Sequence, residues 1–378
     1  MRQNYVPAIF ARGGTSKGLF FNAADLPAEQ TERDALFLAA LGSPDPYGRQ
    51  LDGMGGGISS LSKIAILAPS GHPDADVDYT FGQVAVDQEV VDYAVNCGNL
   101  ASAVGPVAVE AGIISVPDGT VSVRIHATNT RQFITSTFEV RDGSPVTTGD
   151  LALPGVAGLG APIELEFHDG GGSITSGVLP SGNVCDRLTV EGLGEIEVSL
   201  VDATNPVVFV EAATVGMTGV ESIAALDADH DLLRRLDVIR RAGGVAMGLG
   251  SSPESIALAN PKIAVVGPAK PFTALDGAEV GADDYDISVR MLSMGGWHRA
   301  VTSTGALCIA TAAAIEGTLP NQLHATSTTE GILRIGQPSG IVPAAATAET
   351  ENGVWHARTA SLFRTARVLM RGEVAVNR

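Results

Sequence analysis

The chain has 378 residues, with 24 Lys and Arg against 42 Asp and Glu, and a formal net charge of −18. Hydrophobic residues make up 45% and charged ones 17%, too apolar for a disordered chain. The negative charge argues against nucleic acid as partner, and the 45 Gly, which follow no G-X-Y period, exclude collagen.

The elements come in chain order. Strands are expected at 5–10 and 19–21, flanking a Gly-rich turn, then a helix at 29–41 closed by Gly42. Further strands are read at 64–67, 76–81, 84–86, 90–93, 121–126, 133–140 and 163–167. The second half adds strands at 196–200, 207–211, 263–266, 287–291, 331–335, 354–362 and 362–370. A helix within 223–242 ends at Gly243. Two more helices, 99–111 and 305–315, are Ala-rich and apolar nearly all round, so each is expected to be wrapped by a sheet. Pro106 should kink the first. Each follows a similar string, Asn96-Cys97-Gly98-Asn99 or Thr302-Ser303-Thr304-Gly305. The pattern reads as a duplication: two β-rich halves, each around one buried helix.

The length suits two domains at roughly 100 to 200 residues each. Cys97, Cys185 and Cys308 are scattered, so neither a disulfide framework nor a zinc site is expected. The N-terminus lacks a signal-type apolar region, and no uncharged apolar run approaches the ~18 residues of a membrane span. A reducing cytosol is the expected setting.

Four constellations bear on chemistry. Cys97 opens a buried helix, where backbone N–H groups favour a thiolate or a bound carboxylate; otherwise it is a small core residue. Asp52-Gly53-Met54-Gly55-Gly56-Gly57 leads through Ser59-Ser60-Leu61-Ser62 to Lys63, which abuts the apolar run 64–67. A lysine taken out of water is a usable base, whereas a solvated one is not. Arg12-Gly13-Gly14-Thr15-Ser16-Lys17-Gly18 fails the P-loop pattern but suits an anion nest, or a plain hairpin with exposed basic residues. Met294-Gly295-Gly296-Trp297-His298-Arg299 precedes the second buried helix, which places Met294 and His298 as candidates there. Cys308, one turn inside that helix, is assigned to the core, and Cys185 has no role. Basic groups set in Gly-rich turns of an acidic protein suit a small anion with several carboxylates. No metal is implied.

Together these strings resemble the family of 2-methylaconitate cis-trans isomerases, the PrpF proteins, over essentially the whole chain. The resemblance rests on the 12–18 turn, Asp52-Gly53-Met54-Gly55-Gly56 with Ser62-Lys63, and Asp76-Val77-Asp78-Tyr79. It continues in Asn96-Cys97-Gly98-Asn99-Leu100, Leu179-Pro180-Ser181-Gly182-Asn183 and Asp202-Ala203-Thr204-Asn205-Pro206. Ser303-Thr304-Gly305-Ala306 and Arg364-Thr365-Ala366-Arg367 complete it.

The resemblance implies an α+β fold similar to diaminopimelate epimerase. It would have two pseudo-symmetric, β-barrel-like domains, 1–184 with 361–378 and 185–360, and an active site in the cleft between them. It implies an isomerase without cofactor that moves a C=C bond by a 1,3-proton shift in an unsaturated di- or tricarboxylate. The family's known activities include 2-methylaconitate isomerase, 3-methylitaconate isomerase and 4-oxalomesaconate tautomerase. Lys63 and Cys97 match its proposed acid–base groups. The substrate would be held by Arg12, Gly14, Thr15, Ser16, Lys17, Ser60, Ser62, Asn96, Gly98, Asn99 and Leu100, with Met294, His298, Ser303, Thr304 and Gly305. No partner other than the substrate is expected, save a second copy of the chain as a default. Two other readings are kept open: a two-base amino-acid racemase, and a non-catalytic accessory protein of a dehydratase.

Overall fold

The computed structural model describes residues 3–93, 97–258, 260–293, 295–324 and 331–376. Strands dominate, with a few helices, in an α+β architecture. The chain forms two compact units, Met1–Phe167 with Phe363–Arg378, and His168–Leu362.

The sequence reading placed 168–184 with the first domain; in the structure it lies in the second unit. The reason is a buried carboxylate. Asp202 is fully buried, and it accepts hydrogen bonds from the Ile174 and Thr175 N–H groups and the Ser173 and Thr175 hydroxyls. A charge taken out of water needs such partners, and satisfying it ties the segment down.

In the first unit, Asn4–Gly13 lies between Ser16–Asn22 and the last strand, Ala366–Val376, antiparallel to both. Ser16–Asn22 pairs parallel with Lys63–Pro69, which pairs antiparallel with Val77–Val84. That strand runs parallel to Gly119–Ala127, followed antiparallel by Gln132–Arg141 and Ile163–His168. Each parallel join needs a crossover. The helix Gln30–Leu41 serves the first, and the short helices Gly98–Ala101 and Val104–Glu110 the second.

In the second unit, Asp186–Val190 and Gly194–Asp202 lead antiparallel into Pro206–Glu211. Pro206–Glu211 is parallel to Lys262–Pro268, and that strand is antiparallel to Ile287–Ser293. Ile287–Ser293 is parallel to Ile332–Gln337, and Gly340–Glu351 and Val354–Arg364 follow antiparallel. From Asn4–Gly13 in one unit and from Gly194–Asp202 in the other, the pairing senses run in the same order. The crossovers are His230–Ala246 and Ser303–Ala314. Residues Gly305 to Ala313 of the latter are all buried, which answers its all-round apolar sequence.

Four local expectations are corrected. The helix expected at 99–111 is interrupted at Ser102–Ala103, and Pro106 sits in the first turn of the second piece, where its missing N–H costs little. Gly243 does not end its helix: His230–Ala246 runs through it, and a Cβ there would meet Val208 Cγ2 at 2.5 Å, so the glycine permits close packing. The strand expected at 362–370 breaks at Thr365, whose carbonyl leaves the ladder to accept from Gly14 N and Arg12 Nη1. Gly340–Glu351 was missed because Pro343 and four alanines give it low strand propensity; pairing on both sides holds it.

Candidate active site

The Arg12–Gly18 stretch is a tight hairpin with Gly13 opposite Ser16 and a turn at Gly14-Thr15. Gly14 has φ +54°, a conformation that favours glycine. The turn rests on the start of the Gly98–Ala101 helix: a Cβ on Gly13 would lie 2.6 Å from the Asn99 carbonyl oxygen, and one on Gly14 would strike the Asn99 side chain. Arg364, fully buried, donates from Nε to Asn99 Oδ1 at 3.1 Å, and burial pushes its pKa down to about 10.

This seating brings the hairpin to Cys97. The thiol caps the Gly98–Ala101 helix, accepting from Leu100 N at 3.4 Å, and Ser16 Oγ lies 3.9 Å from Cys97 Sγ. Two positions along the same strand, Gly18 is paired with Lys63, and a Cβ on Gly18 would lie 2.6 Å from the Lys63 carbonyl oxygen. Ser16 and Gly18 thus touch the two candidate acid–base residues from one strand.

Lys63 is only 7% exposed. Its Nζ donates to Gln83 Oε1 at 2.5 Å and lies 5.1 Å from the centre of the Phe81 ring. Gln83 is fixed in turn, donating from Nε2 to the carbonyls of Ser62 and Ser59. Among the described residues no carboxylate pairs with Lys63. Deeper still, Tyr79 is fully buried; burial, and then the neighbouring Cys97, raise its pKa.

The other expected residues of this unit divide. Arg12 uses Nη1 on the carbonyls of Gly14 and Thr365, and burial, then the Arg367 charge, lower its pKa. Lys17 lies 5.5 Å from the centre of the Phe10 ring, and Thr15 is exposed. Ser62 is fully buried and engaged with Gln50 Nε2 and the Val84 carbonyl, so its hydroxyl serves the fold; Ser60 is partly exposed. The glycines of 53–57 also serve the fold: Gly53 packs on Leu41 and Gly42, Gly55 on Gln50 and Gly57 on Gly48. Gly98, Asn99 and Leu100 form the first turn after Cys97. Asn96 and Met294 lie outside the described residues.

His298, Ser303, Thr304 and Gly305 belong to the second unit. Thr302 caps the Ser303–Ala314 helix, accepting from Gly305 N at 3.0 Å. His298 is half-buried, with its pKa lowered by burial and then by the charge of Lys262. Cys308 is fully buried, and burial raises its pKa far above the ordinary thiol range. Among the described residues no three His, Cys, Asp or Glu side chains gather as a metal set, and no helix is long and apolar enough to cross a membrane.

A family model for the PrpF protein matches residues 3–377. The chain belongs to the PrpF family. It is 42% identical over 388 residues to the 2-methyl-aconitate isomerase of Cupriavidus necator, covering 98% of this chain and 97% of that one. To the (4E)-oxalomesaconate Delta-isomerase of Novosphingobium sp. (strain KA1) it is 40% identical, covering 98% and 97%. A crystal structure of methylitaconate-delta-isomerase superposes with a TM-score of 0.93 at 39% identity, covering 100% of this chain and 96% of that one. This PrpF protein is therefore an isomerase. Gln83, the partner of Lys63, was missed as a candidate.

Proposed function

We propose that the protein shifts a C=C bond by 1,3-proton transfer in a small unsaturated di- or tricarboxylate, using its own side chains without a cofactor. The observation that carries this is the convergence of Lys63 and Cys97 on Ser16 and Gly18 of one strand. A proton γ to a conjugated carboxylate is acidic because its removal spreads charge into a dienolate. A base removes it at one carbon, and an acid delivers a proton at the other. A lysine with an amide and an aromatic ring as neighbours, rather than a carboxylate, is suited to take that proton. Cys97 is the donor or its partner.

Three relatives at nearly equal identity carry three substrate names, so identity ranks none of them. 2-Methylaconitate and 4-oxalomesaconate are the candidates we place first. The epimerase-like design read from the sequence is supported by the shared order of pairing senses in the two units. The racemase reading is disfavoured because the second helix is capped by Thr302, and Cys308 lies inside it, fully buried.

The test is a proton NMR screen in deuterium oxide with 2-methylaconitate, aconitate, 3-methylitaconate and 4-oxalomesaconate. Turnover of one, with deuterium entering a single methyl or methylene carbon, is the expected result. Turnover of none, or α-exchange of L-amino acids at catalytic rate, would overturn the reading.

A further inference from the structure

The hairpin that reaches Cys97 has a second face. Ser16 Oγ lies 3.9 Å from Cys97 Sγ, so Lys17, the next residue of the strand, points the other way. Arg12 is directly opposite Lys17 on one side and directly opposite Arg367 on the other, which puts all three on that outer face. Two contacts agree with this placement. Lys17 Nζ lies 5.5 Å from the centre of the Phe10 ring, and Phe10, two residues before Arg12, packs on the apolar cluster of Phe21, Phe37 and Leu38. Gly13, one residue after Arg12, faces Asn99 on the other side.

Three cations in a row are unfavourable. Neighbouring strands lie about 4.8 Å apart, so the row is about 10 Å long. Like charges directly opposite one another destabilise a strand pair, and here that happens twice. Burial, and then the Arg367 charge, lower the pKa of Arg12. The chain carries 42 Asp and Glu, yet among the described residues none forms an ion pair with Arg12, Lys17 or Arg367. Arg12 is nonetheless held in one pose. Its Nη1 donates to two backbone carbonyls, of Gly14 at 2.9 Å and of Thr365 at 2.8 Å. Its Nε and Nη2 donate to no described residue, and that edge of a guanidinium grips an oxyanion with two parallel bonds. Arg367 is exposed at the end of the row.

We propose that Arg367, Arg12 and Lys17 form a binding site for a linear polyphosphate, either free or as the tail of a nucleoside triphosphate. Such a chain sets one charge after another at short intervals, as the row does. Two of the three cations have the planar fork that matches a phosphate. A single phosphate would answer one rung only. All three residues belong to the first unit, on the face of the hairpin turned from Cys97. Arg12 and Lys17, expected from the resemblance to hold the substrate, are thereby given a different ligand.

The test is calorimetric titration of the full chain with inorganic tripolyphosphate at pH 7, without metal ions. The salt is set at about 0.1 M, where charges more than about 10 Å apart are largely screened. One chain should bind one anion. Arg367→Gln and Lys17→Met should each weaken binding about tenfold, the loss expected for a charged hydrogen bond. Arg371→Gln, at an exposed arginine of the same strand outside the row, should leave the affinity as it is. Because a like charge is removed, Arg367→Gln should melt no lower than the parent without the anion. Tripolyphosphate should raise the melting temperature of the parent, and that of Arg367→Gln much less. If one variant melts lower than the parent, the other decides. ATP in place of tripolyphosphate separates the two sources. Tighter binding of ATP assigns the site to a nucleotide, equal or weaker binding to the free chain, and either upholds it. Failure of the parent to bind tripolyphosphate at millimolar concentration would overturn the proposal. So would an equal loss in Arg371→Gln, which would mean a diffuse attraction. Displacement by excess tricarballylate, a saturated tricarboxylate, would also overturn it, by returning the row to the substrate's carboxylates.

Discussion

Lys63 Nζ and Gln83 Oε1 are 2.5 Å apart, in directly paired positions of neighbouring antiparallel strands. An amide accepts the lysine's hydrogen bond without holding its proton as a carboxylate would. Gln at 83 therefore gives Lys63 a neutral partner rather than a charged one.

Gln83→Glu tests that reasoning with almost no change of shape. The new carboxylate should pair with Lys63 and keep it protonated, lowering kcat by about 10²-fold with KM changed much less. Lys63→Ala should remove about 10²- to 10⁴-fold of kcat. Steady-state kinetics check both; an unchanged kcat in Gln83→Glu would contradict the role of Gln83.

Cys97→Ser retains a helix cap, since a serine oxygen accepts the Leu100 N–H as the sulfur does. Melting should therefore stay near that of the parent, while kcat falls by about 10²-fold or more. Thermal denaturation and NMR turnover separate the two effects.

The thiols should differ in reactivity. Cys308 is fully buried with its pKa raised, and Cys97 is partly exposed. Iodoacetamide at pH 8 should leave Cys308 unmodified in the folded chain and reach it after unfolding. A bound polycarboxylate should slow the labelling of Cys97, read by peptide mass spectrometry.

Gly13→Ala should disturb both stability and activity. Its Cβ would lie 2.6 Å from the Asn99 carbonyl oxygen and 3.0 Å from that of Leu100, both backbone atoms. The hairpin would have to lift from the helix start. The expected cost is about 1–3 kcal/mol in a urea titration, with a fall in kcat as Ser16 leaves Cys97.

His298 gives a pH-dependent term whose sign follows from its environment. Burial and the Lys262 charge lower its pKa below the ordinary 6.5. Above 6.5 the folded and unfolded chains are both neutral at this site, and the full stability is present. As pH falls below that value the unfolded chain binds the proton first, and stability declines until the folded imidazole is protonated too. The urea midpoint should drop less between pH 7 and 5.5 in His298→Gln than in the parent.

Much of this site was legible because its signals are local. The turn at Gly13-Gly14, the lysine before the apolar run 64–67, and the buried helix after Cys97 each lie within a few residues. What escaped depends on pairing at a distance. Gln83 is opposite Lys63 only through the register of two strands. Arg364 was noticed as part of a string, but its bond to Asn99 joins residues 265 apart. Glycine misled at 243, because a glycine that ends a helix and one that lets a strand pack close to it read alike.

The pairing of Asn4–Gly13 with Ala366–Val376 runs from Asn4 opposite Val376 to Gly13 opposite Ala366. On a ribosome, Lys63 and Cys97 emerge in the first third of synthesis, but the strand that backs their hairpin and the Thr365 carbonyl that holds Arg12 come last. Domains generally fold as units while the chain is still growing, N-terminal first. Here the first unit must wait, half-formed, until the whole second unit has been made. Products of interrupted translation would carry both candidate acid–base side chains without the strand that completes their unit.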